Sequence, residues 1–304
     1  MKDQVIEFSP DFSTLACDDW FDALDEYCEE HGYFEPLGNG YAAGLIDSGP
    51  KLLVTFETYE TICKSDAKRR PLGFRFVKED GWSNLCILCA EDSAFRYERL
   101  YKYFDRLVDD GFFEDFDEVL FFGDHLAGYA AAAYSVAAPG AKIIALRPIA
   151  TADPEHTAWD NRLLPLRKQC FTDRYGYAPD MLEGCQSAFL VYDPKVLQDA
   201  VHAALFRADY VTPLKARHFG PLSVKGLQDI GILDELLRQA MAGDLSTESF
   251  AKLYRARRTH KIYLRRVLAA VTKTQSVERQ RFACKAILAR GDYKFAADAL
   301  EQIN

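Results

Sequence analysis

The amino-acid sequence predicts an α/β fold in which a mostly parallel sheet is flanked by helices and followed by an all-helical C-terminal extension. Two observations support this prediction. Short apolar runs alternate with helix-compatible segments through the middle of the chain, and one strand-turn-helix-strand unit occupies residues 117–146. With 304 residues, of which 49% are apolar, the chain is long enough to bury a large core.

The central unit begins with residues 117–139, which read DEVLFFGDHLAGYAAAAYSVAAP. The pattern predicts an apolar strand at 119–122, a turn of mostly small residues at 123–128, and a helix that ends before Pro139. A strand can turn at once into a helix only where glycine or alanine lets the two backbones cross. The next apolar run, KIIAL at 142–146, predicts the following parallel strand.

The segment before the central unit predicts helices and short strands. Aromatic and aliphatic residues recur at helical spacing among acids over residues 15–30, which predicts a helix. Turn-forming residues separate the apolar runs that follow. The predicted elements are strands near 41–45, 51–57 and 85–90, a helix end or strand at 74–77, and a helix over 94–111.

The segment after the central unit starts with residues 147–181, which are rich in proline, aspartate and aromatics. They are too long for an ordinary connection and predict a lid or a small helical insertion. The later elements are predicted as strands at 187–192 and 210–216 around a helix at 195–206, then helices at 230–242, from a cap near Ser246 through Val271, at 276–289 and at 292–303.

These patterns divide the chain into three parts. Residues 1–40 are predicted to form an N-terminal helix and lead-in, residues 41–242 the α/β domain, and residues 243–304 the helical extension. The chain contains no apolar stretch long enough to cross a bilayer, and its start, MKDQVIEFSPDF, lacks the apolar core of a secretory leader. We therefore expect a cytoplasmic protein without a membrane span.

Eight cysteines are scattered along the chain, and Cys86 and Cys89 form a CxxC pair. Such a pair is typical of redox chemistry or of half a zinc site. It lies inside an apolar run predicted as a strand, and no second CxxC or paired histidines complete a metal set. The sequence therefore favours buried structural thiols, and we expect no metal and no cofactor.

Charge is distributed unevenly. Residues 1–120 carry 27 acids and 12 bases, a net charge of −15, whereas residues 245–304 carry 13 bases and 5 acids. A solvated helix face balanced by the acidic half is the first interpretation of the basic end. A protein partner, an anionic membrane surface or a phosphorylated ligand are the others. Because the whole chain is acidic and lacks a nucleic-acid-binding signature, nucleic acid is not an expected partner.

The central unit resembles the nucleophile elbow of the α/β-hydrolase fold, G-x-S-x-G, with His125 in the place of the serine. The resemblance covers roughly residues 41–242 and implies the order nucleophile, acid, histidine. It carries the acid to Asp193 and the general base to His218, each after a predicted strand. It also implies an oxyanion hole from the backbone N–H groups of Leu126 and of the loop after Phe56, at Glu57.

A narrower resemblance concerns the run from Phe121 through PGAKIIALRP and the later DPEHTAWDNR. These runs are similar to hydrolase-like domains found beside bacterial polysaccharide and glycosyltransferase modules, in which the elbow is of the GSSMGG type. Asp124, Trp159 and Tyr175 are candidate pocket residues. Asp124 is also a possible carboxylate nucleophile, although it stands one position before the apex. Two histidines and an aspartate near one pocket leave a divalent metal open as a further hypothesis.

Two classes of function follow. In the first, which the missing serine favours, the chain is a catalytically degenerate protein that binds a small molecule of unknown identity or acts as a scaffold. In the second, it is an atypical hydrolase or acyltransferase that acts on an ester-like or acyl substrate. There His125, or a water activated by the histidines, attacks while Asp193 orients His218. The oligomeric state does not follow from the sequence.

Overall fold

The computed structural model describes residues 10–90, 94–221 and 223–303. Most of the start that predicts no leader, residues 1–9, lies outside this range. Among the described residues, eight strands form one sheet in the order β1-β2-β4-β3-β5-β6-β7-β8. The strands are β1 (Gly32–Gly38), β2 (Tyr41–Ile46), β3 (Lys51–Thr58), β4 (Ser83–Cys89), β5 (Glu118–Asp124), β6 (Lys142–Leu146), β7 (Ser187–Tyr192) and β8 (Val211–Lys215).

The sheet is parallel from β4 to β8, and only β2 runs against its two neighbours. The prediction of a mostly parallel sheet is therefore confirmed. The carboxyl ends of β3, β5, β6, β7 and β8 meet at one edge, which is where open α/β sheets place their ligand sites.

Helices cover both faces of the sheet. They are α1 (Cys17–His31), α2 (Tyr59–Ser65), α3 (Phe74–Asp80), α4 (Glu98–Asp109), α5 (Leu126–Tyr134), α6 (Pro154–Thr157), α7 (Leu197–Leu205), α8 (Val224–Asp229), α9 (Leu233–Ala242), α10 (Thr247–Leu253), α11 (Lys261–Thr272), α12 (Val277–Leu288) and α13 (Lys294–Glu301). Successive residues of β3 point to opposite faces, so Leu53 packs with α9 on one side and Val54 with α4 and α5 on the other.

Several predicted elements differ from the structure at their ends. The helix predicted over 94–111 begins only at Glu98, because Ala94 and Phe95 both have φ near 57° and cannot belong to a right-handed helix. Strand β1 lies inside the predicted lead-in and was not expected, nor was helix α2. The ambiguous segment at 74–77 is helical.

The helix predicted from Ser246 through Val271 is two helices. Ser246 caps α10 as expected, but a 3-10 turn over Tyr254–Thr259 and an extended His260 separate α10 from α11. The Tyr254 side chain is buried in the core between the sheet and α9, and this packing holds the turn in place.

The last three helices have a small core of their own, formed by residues such as Leu264, Cys284 and Ala296. Phe250 and Tyr254, within the predicted extension, pack instead with the core of the sheet. The segment at 147–181 contains α6, a 3-10 helix (Asn161–Leu166) and the start of another (Ala178–Leu182). Within the described residues, no helix is long and apolar enough to cross a membrane.

Candidate functional site at the carboxyl edge of the sheet

The predicted sharp turn between strand and helix is present at the end of β5. His125 stands at its apex with φ 59° and ψ −114°, a strained conformation for a residue with a side chain. A Cβ atom on Gly123 would lie 2.1 Å from the carbonyl oxygen of Ala127, and one on Gly128 would lie 3.0 Å from that of Leu146. The reason given by the sequence for small residues here, two crossing backbones, is confirmed.

The His125 imidazole is half-buried, and its ring makes no hydrogen bond to the described residues. The pKa of His125 is lowered to about 3, first by burial and then by the positive charges of Arg147 and Arg162, against the opposing charge of Asp160. The ring is therefore neutral at physiological pH.

A second histidine, His202 of α7, is fully buried near the apex. Its Nδ1 accepts a hydrogen bond from the backbone N–H of Ala150 at 3.2 Å, so the ring proton is on Nε2. That nitrogen donates to Oδ2 of Asp160 at 3.2 Å. Burial lowers the pKa of His202 to about 4, so the contact joins a neutral imidazole to a carboxylate.

Arg162 bridges the two buried carboxylates of this region. Its Nη2 donates to Oδ2 of Asp160 at 2.7 Å, and its Nη1 donates to Oδ1 of Asp199 at 2.6 Å. Burial raises the pKa of Asp160, but the hydrogen bonds from Arg162 outweigh this effect and the pKa lies below its ordinary value. These contacts tie the insertion after β6 to helix α7.

Asp193 directly follows β7, and His218 lies in the loop after β8. The buried Asp193 carboxylate accepts hydrogen bonds from the backbone N–H groups of Lys195 at 2.9 Å and of Gly220 at 2.6 Å. His218 has φ 65°, and in the described part of the chain its ring makes no hydrogen bond. The Asp193 carboxylate thus fixes the loop after β8 through the hydrogen bond from the backbone N–H of Gly220. The roles proposed for both residues stay predictions.

A cavity of about 240 Å³ lies beside the elbow, on the side of Asp124. We call it the Arg147 cavity. Oδ1 of Asp124 accepts a hydrogen bond from Nε of Arg147 at 2.7 Å, and Oδ2 accepts one from the backbone N–H of Val224 at 3.3 Å. Despite the arginine, burial raises the pKa of Asp124. The residues lining the cavity are Phe56, Glu57, Thr61, Lys64, Ser65, Leu72, Phe122, Asp124, Ala127, Arg147, Ser223, Val224 and Lys225.

Glu57 lines this cavity. Strand β3 extends through Thr58 and α2 begins at Tyr59, so Glu57 is a strand residue paired in register with Leu88 and no loop follows Phe56 directly. Burial raises the pKa of Glu57 to about 7, although its carboxylate oxygens accept hydrogen bonds from Leu72 N–H. Leu126 is the buried first residue of α5. The oxyanion role of these two backbones stays a prediction.

The two remaining candidate pocket residues lie apart from the Arg147 cavity. Trp159 is 41% exposed, and its ring lies 4.9 Å from that of His202. Tyr175 is buried in the main core, where its ring lies 4.6 Å from that of Tyr134 beneath α5. Of the three candidates, only Asp124 lines this cavity.

The CxxC pair and the divalent-metal hypothesis both concern side chains of the types that bind metal ions. Cys86 and Cys89 are buried, and their side chains belong to different core clusters. Within the described ranges, no three or more His, Cys, Asp or Glu side chains are grouped closely enough to hold a metal ion. The CxxC pair is thus built into the faces of β4.

Sequence reasoning did not identify the cluster around His202, nor the side chains of Arg147 and Glu57. Asp160 and Arg162 both occur in the run DPEHTAWDNR, but no periodicity in that run indicates that the arginine meets a carboxylate on α7. Arg147 follows directly after a predicted strand, and that position was the signal that could have identified it.

No family model matches this chain, and no curated protein matches it. Solved structures with a similar arrangement include an esterase of Pyrobaculum calidifontis, at 12% identity and a TM-score of 0.46, covering 77% of this chain and 95% of that one. Another is the capsule O-acetyltransferase of Neisseria meningitidis serogroup A, at 12% identity and a TM-score of 0.45, covering 67% of this chain and 92% of that one. A third is carboxyl esterase 2 of Tuber melanosporum, at 13% identity and a TM-score of 0.40, covering 71% of this chain and 82% of that one.

The fold assignment rests on this chain's own topology. A mostly parallel sheet with an antiparallel edge, and a strained elbow between β5 and α5, define an α/β-hydrolase-like fold.

Proposed function

We propose that this chain is a small-molecule-binding protein that keeps an α/β-hydrolase-like fold without the hydrolytic relay. One observation carries the proposal: the groups expected to form the relay are not connected. Asp193 is engaged by two backbone amides, and neither ring of His125 and His218 has a hydrogen-bond partner among the described residues.

Hydrolysis by an elbow residue requires a nucleophile that a neighbouring base deprotonates and an acid that orients the base. A half-buried imidazole with a pKa of about 3 is a weak proton acceptor at neutral pH. The contacts of Asp193 also support a structural role, because they fix the loop that carries His218 without constraining the His218 ring. Without a connected relay, we infer that this edge of the sheet binds a small molecule and does not hydrolyse it.

Hydrolysis of short acyl esters tests the proposal. We expect the native chain to release p-nitrophenol from p-nitrophenyl acetate and butyrate no faster than buffer. The His125→Ala and His218→Ala variants should show the same rate. Turnover by the native chain that disappears in either variant would contradict the binding function.

A second function, an atypical hydrolase or acyltransferase, is favoured by the strained apex. A non-glycine residue with φ 59° and ψ −114° is held there at an energetic cost of about 1–3 kcal/mol, and such strain is concentrated at functional sites. In this alternative His125, or a water that the histidines activate, attacks the acyl carbon. The same ester assay distinguishes the two functions, because only this one predicts turnover that depends on His125.

A further inference from the structure

We propose that the Arg147 cavity binds a small carboxylate that carries a short hydrocarbon chain, with Arg147 as the group that pairs with the ligand's charge. This inference rests on the proposed binding function and names the class of ligand. The cavity is on the Asp124 side of the elbow, and His125 does not line it.

Arg147 is oriented for an anion. Its Nε is held by Asp124 at 2.7 Å, which fixes the plane of the guanidinium group. Within the described residues, Nη1 and Nη2 make no hydrogen bond, although the side chain is only 23% exposed. Two parallel N–H groups of one guanidinium match the two oxygens of a carboxylate.

The other cations of the cavity are loosely held. Lys64 and Lys225 each pair with a carboxylate one helical turn away, and in both pairs the side chains are exposed. Exposed pairs of this kind are worth only about 0.3–0.5 kcal/mol, so either amine can turn toward a ligand. The lining residues include three cations, Lys64, Arg147 and Lys225, and two carboxyl groups, Asp124 and Glu57, so the lining carries a net charge of +1 when both carboxyls are ionised.

The walls set the shape of the ligand. Their exposed surface is mainly apolar, and the apolar residues that line the cavity are Phe56, Leu72, Phe122, Ala127 and Val224. A volume of about 240 Å³ lies just below the range of roughly 300–1,000 Å³ that holds drug-sized molecules. An inorganic anion would leave the apolar wall uncovered, whereas a short alkyl chain would bury it.

Glu57 makes this binding depend on pH. The charged groups around its carboxyl are Asp66, which follows α2, and the cavity residues Lys64, Asp124, Arg147 and Lys225. Asp66 is paired with Arg70 at 2.9 Å. Below its raised pKa, Glu57 is neutral and does not oppose an anion, whereas above that pKa its charge does.

The probe is hexanoate, titrated against the full chain by saturation-transfer NMR at pH 6. Hexanamide, which lacks the charge, and inorganic phosphate, which lacks the chain, are the comparison ligands. We expect saturable binding of hexanoate, binding of each comparison ligand weaker by about tenfold, and hexanoate binding about fivefold weaker at pH 8. The Arg147→Gln variant should lose about tenfold in affinity, with its fold checked by circular dichroism.

A surface variant keeps the test independent of folding. Lys225→Glu should weaken hexanoate binding about fivefold. Lys102→Glu should not, because Lys102 is also an exposed lysine paired one turn away but lies on α4 outside the cavity. Equal binding of hexanamide or phosphate, equal losses in both lysine variants, or no binding up to about 10 mM would overturn the inference.

The two proposals fail in different ways. Absence of hexanoate binding would overturn this site and leave the non-hydrolytic function standing. Ester turnover that depends on His125, together with hexanoate binding, would overturn the non-hydrolytic function and leave this site standing.

Discussion

Replacement of Glu57 by glutamine changes one titrating group and leaves its size nearly the same. Glu57 is 9% exposed at the end of β3, and burial raises its pKa from 4.5 to about 7. An acid whose pKa is raised on folding binds more protons in the folded chain than in the unfolded chain between these two values. The free energy of unfolding therefore falls as the pH rises from 4.5 to about 7.

The size of the effect follows from the shift. One pKa unit corresponds to about 1.4 kcal/mol, so the native chain should lose about 3 kcal/mol relative to Glu57→Gln across this window. The assay is urea unfolding of both chains at intervals from pH 4.5 to 8, with the free energy of unfolding compared at each pH. The difference isolates Glu57, because every other titrating group is common to both chains.

Glu60→Gln is the matched control, since the Glu60 carboxylate is exposed on α2 and pairs with the neighbouring Lys64. Its difference from the native chain should vary by less than about 1 kcal/mol over the same range. Parallel stability curves for the native chain and Glu57→Gln would refute the reasoning about this buried carboxyl.

Three further predictions concern the elbow and the cluster beside it. His202→Gln should reduce the loss of stability on acidification, because the pKa of His202 is about 4 in the folded chain and about 6.5 in the unfolded chain, so between these values only the unfolded chain binds the proton. Urea unfolding at pH 7 and pH 5 measures the effect, and an unchanged pH dependence would contradict it. Arg162→Leu should cost about 3–5 kcal/mol in unfolding free energy, since two buried carboxylates lose their shared cation, whereas a loss below about 1 kcal/mol would argue against the bridge. Gly123→Ala should cost at least about 2 kcal/mol, because its Cβ would lie 2.1 Å from the Ala127 carbonyl oxygen, and a variant with the native thermal midpoint would contradict the crossing of backbones.

The elbow could be predicted because its cause is local. A strand that turns directly into a helix needs small residues where the backbones cross, and Gly123 and Gly128 supply them within one short stretch of sequence. Strand β1 could not be found in the same way. Its sequence, GYFEPLG, contains glycine at both ends and Pro36 within, which argue against a strand until the antiparallel pairing with β2 is known.

The site was less accessible to sequence reasoning because its contacts join distant parts of the chain. Asp160 and His202 are separated by 42 positions, and burial of both side chains is what defines their interaction. The raised pKa of Glu57 likewise depends on desolvation by surrounding elements. A position at the end of a strand could be read from the pattern, whereas the partner at that position could not.

The time course of p-nitrophenolate release from p-nitrophenyl butyrate, followed at high protein concentration from the first milliseconds, tests the central claim most directly. Covalent catalysis at an elbow gives a burst of product stoichiometric with the protein, and catalysis through an activated water gives a steady slope. We expect p-nitrophenolate release at the same rate as in buffer, with neither a burst nor an added steady slope. A burst or a slope that is lost in His125→Ala would show that the imidazole at the apex takes part in chemistry, and would contradict it.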